Sequence, residues 1–529
     1  MAEFDTVIHG GTIIDGSGAP GLRGDLGING DRISRIGSLD ASSGDVAIDA
    51  AGQMIAPGCV DVHNHSDGWL LREPHFLPKI SQGVTTEVIM ADGISYAPVA
   101  AETTPEWIHY LRSINALTIP EYTGWETIAE YMQCLDGHTA QNAIAHIPYA
   151  NVRTLIMGWR RDPADDVQKQ MIQAEVRRGM EDGAVGISTG IDYVAQSFCT
   201  TDEIVSACQA MAEYNGLYVT HVRYKKGLIE GIQEAVEIGK RAGVAVHISH
   251  LKARTPELAE QVLDYIDRVA VNEVDFSFDV YPYLPGSTML HSLLPYDVWE
   301  DGPLRVLPKL AEPRVRRLVA ATMASLGDLD GVRLAWCASK ENSQYQGLTV
   351  GEYVRHTGKS AADAVCDLLM EENLAVLAVF GPGTSDQDVD SVVDPFLQHD
   401  RFMLGSDGIY YPDGVVHPRV YGSVPRLLGP LVRERKLFTL EDAVRKAAGY
   451  PAERFGLTDR GLLREGAFAD LFVFNPDTIR DTATYTDPHQ IAEGIDTVMI
   501  NGQLVLSAGA AVGAEQQDQP GRALRYRSQ

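Results

Sequence analysis

The sequence predicts an α/β protein: a (β/α)8 TIM-like barrel with a small β-sandwich domain built from both chain ends. Three observations point there. Short apolar runs in the middle of the chain alternate with amphipathic helical patterns. Both ends read as short strands joined by tight turns. A length of 529 residues allows one large barrel plus a smaller unit.

Residues 1–60 form the first part of the β domain. TVIHGGTII, DLGINGDRISRIG and VAIDAAGQMIAPG alternate apolar with small or polar residues between Gly, Asn and Asp turns. Residues 61–455 change rhythm. VTTEVIM, AVGISTG, LYVTHV, VAVHISHL, FSFDVYP, LAVLAVF and RFMLGSD each finish on polar residues, and helical patterns such as GLIEGIQEAVEIGKRAG lie between them. Strands alternating with helices make βα units and a parallel sheet, and seven or eight such units close a barrel. Residues 285–345, rich in Pro, Leu and Arg, interrupt this rhythm and read as an insertion over the barrel mouth. Residues 456–510 return to strand texture in EGAFADLFVFN and TVMINGQLVL, so the two ends are expected to pair. Residues 511–529 are polar and Gly-rich, and are expected to be loosely ordered or draped over the surface.

A net charge of −28 argues against nucleic acid or an anionic membrane as partner, since both require basic patches. It leaves room for a small carboxylated substrate, because a few placed arginines dominate one cleft. The cysteines at 59, 134, 199, 208, 337 and 366 form no C-x-x-C pair and read as reduced, buried thiols. No basic-then-apolar leader and no long apolar run stands out, so a cytoplasmic protein is expected. Oligomeric state leaves no mark on the composition.

His63 and His65 stand two apart in CVDVHNHSD. In a strand such residues face one side, so two imidazoles there grip one metal ion or form a hydrogen-bonded core pair. Other strand ends favour the metal. His221 closes GLYVTHV, His250 closes VAVHISH and Asp407 closes RFMLGSD. In a barrel the carboxyl ends of the strands converge on one face, and imidazole with carboxylate suits zinc and its neighbours. His247 has the opposite strand parity to His250 and is expected to face the helices.

The HxH pair, two later single histidines and a final aspartate resemble the amidohydrolase superfamily. SQGVTTEVIMADGIS, GAVGISTGIDY, THVR, ISHLKA, DVYPYLPGST, LGSDG and HPRVYGSVPRLLG are similar to its D-aminoacylase branch, the N-acyl-D-amino-acid deacylases, over about residues 5–505. The resemblance implies His63, His65 and Asp407 as ligands of one metal position and His221 and His250 as ligands of a second. One or two zinc ions are implied, with manganese or iron as alternatives. Where the family commonly supplies a cysteine after the second strand, this chain has Asp92, a harder ligand or a cap for the turn before Gly93. Glu87 has opposite parity to Asp92 and is expected to face outward.

The resemblance also places Lys252 near the substrate and likens Arg419 to an arginine that binds the substrate carboxylate. Arg223 shares that work or pairs with a structural acid. Tyr283 and Ser287 resemble substrate contacts, and a tyrosine hydroxyl there stabilises an oxyanion. Only one of Tyr281 and Tyr283 is expected at the mouth. Tyr224, Lys225 and Lys226 replace acidic residues common in the deacylases, and read as a remodelled pocket edge or a solvated loop.

The function implied is hydrolysis of a linear amide of an N-acyl-D-amino acid. A metal-bound hydroxide attacks the acyl carbonyl, and Asp407 carries the proton to the leaving nitrogen. A cyclic amide or lactone hydrolase is the alternative on the same scaffold. A non-catalytic barrel is the reading from another class, and the filled ligand positions stand against it.

Overall fold

The strand carrying the HxH motif, Cys59–Asp61, pairs in parallel with Val84–Ile89, which pairs in parallel with Asn142–Ala145. A second parallel sheet runs in the order Ile147–Pro148, Ile187–Gly190, Leu217–His221, Ala245–Ile248, Phe276–Val280 and Phe402–Leu404. His146 alone separates Asn142–Ala145 from Ile147–Pro148. At the other side, Asn64 forms a parallel bridge to Gly408. This brings the HxH segment beside the GSDG segment. The computed structural model describes residues 2–381 and 389–526.

Helices cover these strands because their apolar residues recur at helical spacing. Leu228–Ala242 buries Leu228, Ile232, Ala235, Val236 and Ile238, and ends at Gly243 with φ 73°. On the other face of the strands, Val60, Val88, Ile144, Val219 and Met403 pack with Ala452 and Phe455 in one apolar cluster. Burying each such side chain contributes about 1.5–3 kcal/mol.

Both chain ends enter one β unit, as the strand texture predicts. Leu471–Phe474 pairs antiparallel with Met54–Pro57, which continues in parallel to Thr12–Ile13. A second sheet holds Phe4–His9 between Asp25–Asn29 and Gly44–Asp49. Ile8, Leu26 and Ile33 share a core with Ile55, Leu471 and Met499.

Two expectations change. Val376–Phe380, in the LAVLAVF run, is not in the parallel sheets. It pairs antiparallel with Gly286–Met289 and Val332–Cys337, so the interrupting segment has its own sheet and extends beyond residue 345. An apolar run buried by neighbours on both faces looks alike in a parallel or an antiparallel sheet. The tail is also firmly tied. Ala143 N–H donates to Arg522, Leu524 N–H to Ala143 and Tyr526 N–H to Gly183. All six cysteines are free thiols, five of them buried. Among the described residues no helix is long and apolar enough to cross a membrane.

Candidate metal centre

The cluster is aimed by chain segments that leave extended geometry. Asp92, His250 and Asp407 have φ of 56°, 36° and 50°, left-handed values that non-glycine residues adopt at a cost of about 1–2 kcal/mol each. Each lies just past its strand and turns its side chain inward. Gly405 gives the Asp407 turn its room: a Cβ there would meet Asp279 Oδ1 at 2.6 Å and His63 Cβ at 2.8 Å.

Two groups of ligand-type atoms result, His63–Asp92–His250 and His63–His65–Asp407, each spanning no more than 4.8 Å. Asp92 Oδ1 lies 3.6 Å from both His63 Nε2 and His250 Nε2. Its Oδ2 lies 3.7 Å from His65 Nε2. Asp407 Oδ1 is 3.3 Å from His65 Nε2 and 3.8 Å from His63 Nε2. His221 stands outside both groups: its Nδ1 is 3.0 Å from His250 Nε2 and its Nε2 is 3.7 Å from Asp192.

These residues fit a divalent metal. Both His63 ring nitrogens and Asp92 Oδ1 are buried without a hydrogen-bond partner. Leaving such atoms unpaired is costly. Most of the separations are too long for hydrogen bonds, yet two ligands about 2.0–2.2 Å from one tetrahedral ion lie about 3.4 Å apart. His65 Nδ1 meets Asn115 Oδ1 at 3.2 Å, which leaves Nε2 toward the cluster.

The charges agree. Burial works against a proton on His63, but Asp92, Asp279 and Asp407 outweigh it and raise its pKa to about 10. The pocket thus favours a positive charge. Burial alone would raise Asp407, but Arg419, with Nη1 2.7 Å from Asp407 Oδ2, and the neighbouring histidines hold it well below the usual carboxylate range.

The cluster floors a cavity of about 640 Å³ walled by Tyr193, Tyr224, Lys252, Tyr281, Ser287 and Phe380 among others. Lys252 Nζ donates to the Tyr281 hydroxyl and to the Leu284 and Pro285 carbonyls. Burial and Arg419 push its pKa well below the usual lysine value. Tyr224 faces His250 Nδ1 at 3.4 Å, whereas Lys225 and Lys226 are exposed.

Three sequence-based placements are corrected. Tyr283 turns away from the cavity and donates to Asp481, so Tyr281 is the tyrosine at the mouth. The chain leaves its strand at Val280, and strand alternation no longer orders the residues beyond. Arg223 is taken up by Glu234 and the Ser197 and Cys199 carbonyls. Arg419, fully buried, comes from behind Asp407 and donates to the Ser287 carbonyl, outside the cavity wall.

His247 also differs from expectation. It faces inward, against Phe455, with Nε2 2.9 Å from Asp279 Oδ2. The strand stops at Ile248 and His250 is left-handed, so parity does not carry from 247 to 250. Glu87 does point away from the cluster, buried against Ser66 and Gln141. Asn115 and Asp279 were not anticipated. Asp279 had a signal, an acid inside FSFDV, while Asn115 had none.

Parallel strands delivering imidazoles and carboxylates to one cavity floor define the class of metal-dependent hydrolases. Within it the chain belongs to the amidohydrolase family, whose pattern matches residues 46–506. It is 35% identical over 524 residues to the D-aminoacylase of Alcaligenes xylosoxydans xylosoxydans, covering 96% of each chain. It is 32% identical over 538 residues to that organism's N-acyl-D-aspartate deacylase, covering 100% of this chain and 97% of the relative. The crystal structure of N-acyl-D-glutamate deacylase from Bordetella bronchiseptica, complexed with zinc and a phosphonate mimic of the tetrahedral intermediate, matches with TM-score 0.82 and 30% identity. That match covers 99% of this chain and 100% of the other.

Proposed function

We propose that this chain is a metal-dependent deacylase of N-acyl-D-amino acids, releasing a carboxylate and a free D-amino acid. The observation that carries this reading is the position of Asp407. It belongs to a metal-sized ligand group, lines the cavity and is held ionised by Arg419. Full-length likeness to D-aminoacylase supports the substrate class.

His63, His65, Asp92, His250 and Asp407 would hold a zinc ion or a similar divalent cation, with His221 beside them. Such a cation, when bound, polarises the scissile carbonyl and acidifies the attacking water. Asp407 accepts the proton from that water and returns it to the leaving nitrogen, without which an amide nitrogen departs poorly. Arg419 keeps the carboxylate ionised. Lys252 faces the cavity where a substrate carboxylate enters, with the Tyr281 hydroxyl beside it as an oxyanion donor, whereas Ser287, expected as a substrate contact, lines the wall with its hydroxyl donated to the Ala378 carbonyl. Leu284, Leu326, Val332 and Phe380 offer an apolar wall.

In this reading the parallel strands from Cys59–Asp61, which straddles the 60/61 boundary, to Phe402–Leu404 close into an eight-stranded barrel, with Asn142–Ala145 and Ile147–Pro148 as one strand position. Residues 1–60 and 456–510 form the β-sandwich. The free thiols suit a reducing compartment, and we place the protein in the cytoplasm. The test is amine release from N-acetyl and N-formyl D- and L-amino acids with added zinc or manganese, using Asp407→Asn as blank. Cleavage confined to D-substrates is expected. A metal-loaded protein that cleaves none of the panel overturns the reading.

A further inference from the structure

Beneath the ligand cluster lies a buried carboxylate that the reaction itself does not use. Asp279, next to last in the Phe276–Val280 strand, is an inward-facing acid with no exposure. Its Oδ1 accepts the backbone N–H of His250 at 2.9 Å. Its Oδ2 accepts from His247 Nε2 at 2.9 Å and faces His63 Nδ1 at 3.7 Å. His247 is braced in turn by Ser277 Oγ, 2.8 Å from its Nδ1. The Asp279 backbone carbonyl accepts from Leu251 N–H at 2.8 Å, so two successive amides of the left-handed His250 turn are tied to this one residue.

We propose that Asp279 is the positioning residue of the metal centre, with His247 as its brace. A carboxylate behind the Nδ1 edge of His63 favours the proton there and leaves Nε2 for a cation. The same carboxylate pins the turn that carries His250. One buried side chain thereby sets two ligands from two different strands. Gly405 marks how tightly it is wedged, since an added Cβ would meet both Asp279 and His63.

The inference rests on the metal-dependent reading of the site, but its test does not depend on the substrate. Wild-type chain and Asp279→Asn would be compared for zinc affinity by competition with a chromophoric chelator, and for unfolding of the metal-free protein. The expected result is zinc binding about 10–100-fold weaker, the range seen when partners behind metal-binding histidines are removed. The metal-free variant should unfold through the same transitions as the metal-free wild type. At saturating zinc, kcat per folded, zinc-loaded chain should fall while KM is unchanged, with the folded, loaded fraction measured separately so that loss of structure is not counted as loss of turnover. Wild-type zinc affinity in Asp279→Asn overturns the proposal. If that variant does not fold, His247→Gln decides: weaker zinc binding sustains the proposal, and unchanged binding overturns it. A chain that holds zinc tightly but cleaves no N-acyl-D-amino acid sinks the deacylase reading and leaves this one standing.

Discussion

At the carboxyl ends of the parallel strands, Asp92, His250 and Asp407 sit in left-handed geometry, and His63 and Asp92 keep buried polar atoms without hydrogen-bond partners. At the amino ends the chain behaves differently. Phe455 and Leu457 fill the interior, and Arg454 Nη2 donates to the Val246 and Asp275 carbonyls. Residues 522–526 run along the base, trading backbone hydrogen bonds with Ala143 and Gly183. One end leaves ligand-type atoms unpaired around a cavity; the other packs apolar groups tightly and ties strand carbonyls to Arg454, although Arg454 Nε finds no partner. Backbone strain and unpaired buried atoms are tolerated where chemistry needs them, and the opposite end helps to hold them in place.

Four variants test this contrast. Asp407→Asn, at the mouth, should lower kcat about 10²–10⁴-fold while leaving the fold and much of the bound metal, as loss of a proton-transfer group does. Amine-release kinetics beside metal analysis would check it, and near-normal turnover would remove Asp407 from the mechanism. Arg460→Met, in the β unit, should do the reverse. Arg460 pairs with buried Asp470 and donates to Asn501, and breaking a buried pair costs about 3–5 kcal/mol. Thermal melting should shift down while kcat of the folded protein stays unchanged; altered kcat would mean that the two ends are coupled.

Asp92→Ala should lower the metal bound per chain, measured by elemental analysis. Unchanged metal and activity would return Asp92 to capping its turn. The smallest effect is expected at Glu87, whose pKa is pushed up to about 7, by burial first. An acid raised in the folded state favours folding fully below its unfolded pKa, and that advantage is lost as pH rises through the folded value. Glu87→Gln should therefore melt higher than wild type by an increment that grows from pH 4.5 to 7 and then levels, about 1–3 kcal/mol. A difference independent of pH would assign the effect to packing.

The ligand-type residues at strand ends were legible because their signal is local: a polar residue closing an apolar run. So was the pairing of the two chain ends, since alternation and turn residues mark strands wherever they later pair. Val376–Phe380 was misplaced because sequence does not tell a buried antiparallel strand from a parallel one. Asn142–Ala145 and Ile147–Pro148 were missed because NAIAHIP has small residues and a histidine where a strand usually shows a β-branched run. His247 and Tyr283 failed for one reason, while Arg223 took the structural-acid alternative by pairing with Glu234. Parity and motif place a residue along the chain, but where the chain bends decides what its side chain meets.

The strap at the base has a consequence for how the protein is made. Arg522 N–H donates to Asn142 Oδ1 across 380 residues. Residues 522–526 leave the ribosome after every parallel strand they bridge. The nascent chain must therefore keep the amino ends of those strands uncovered through most of translation. Contacts of such long sequence separation form slowly, and strand ends and apolar groups exposed meanwhile invite aggregation. Yield of active protein should thus depend on chaperone supply.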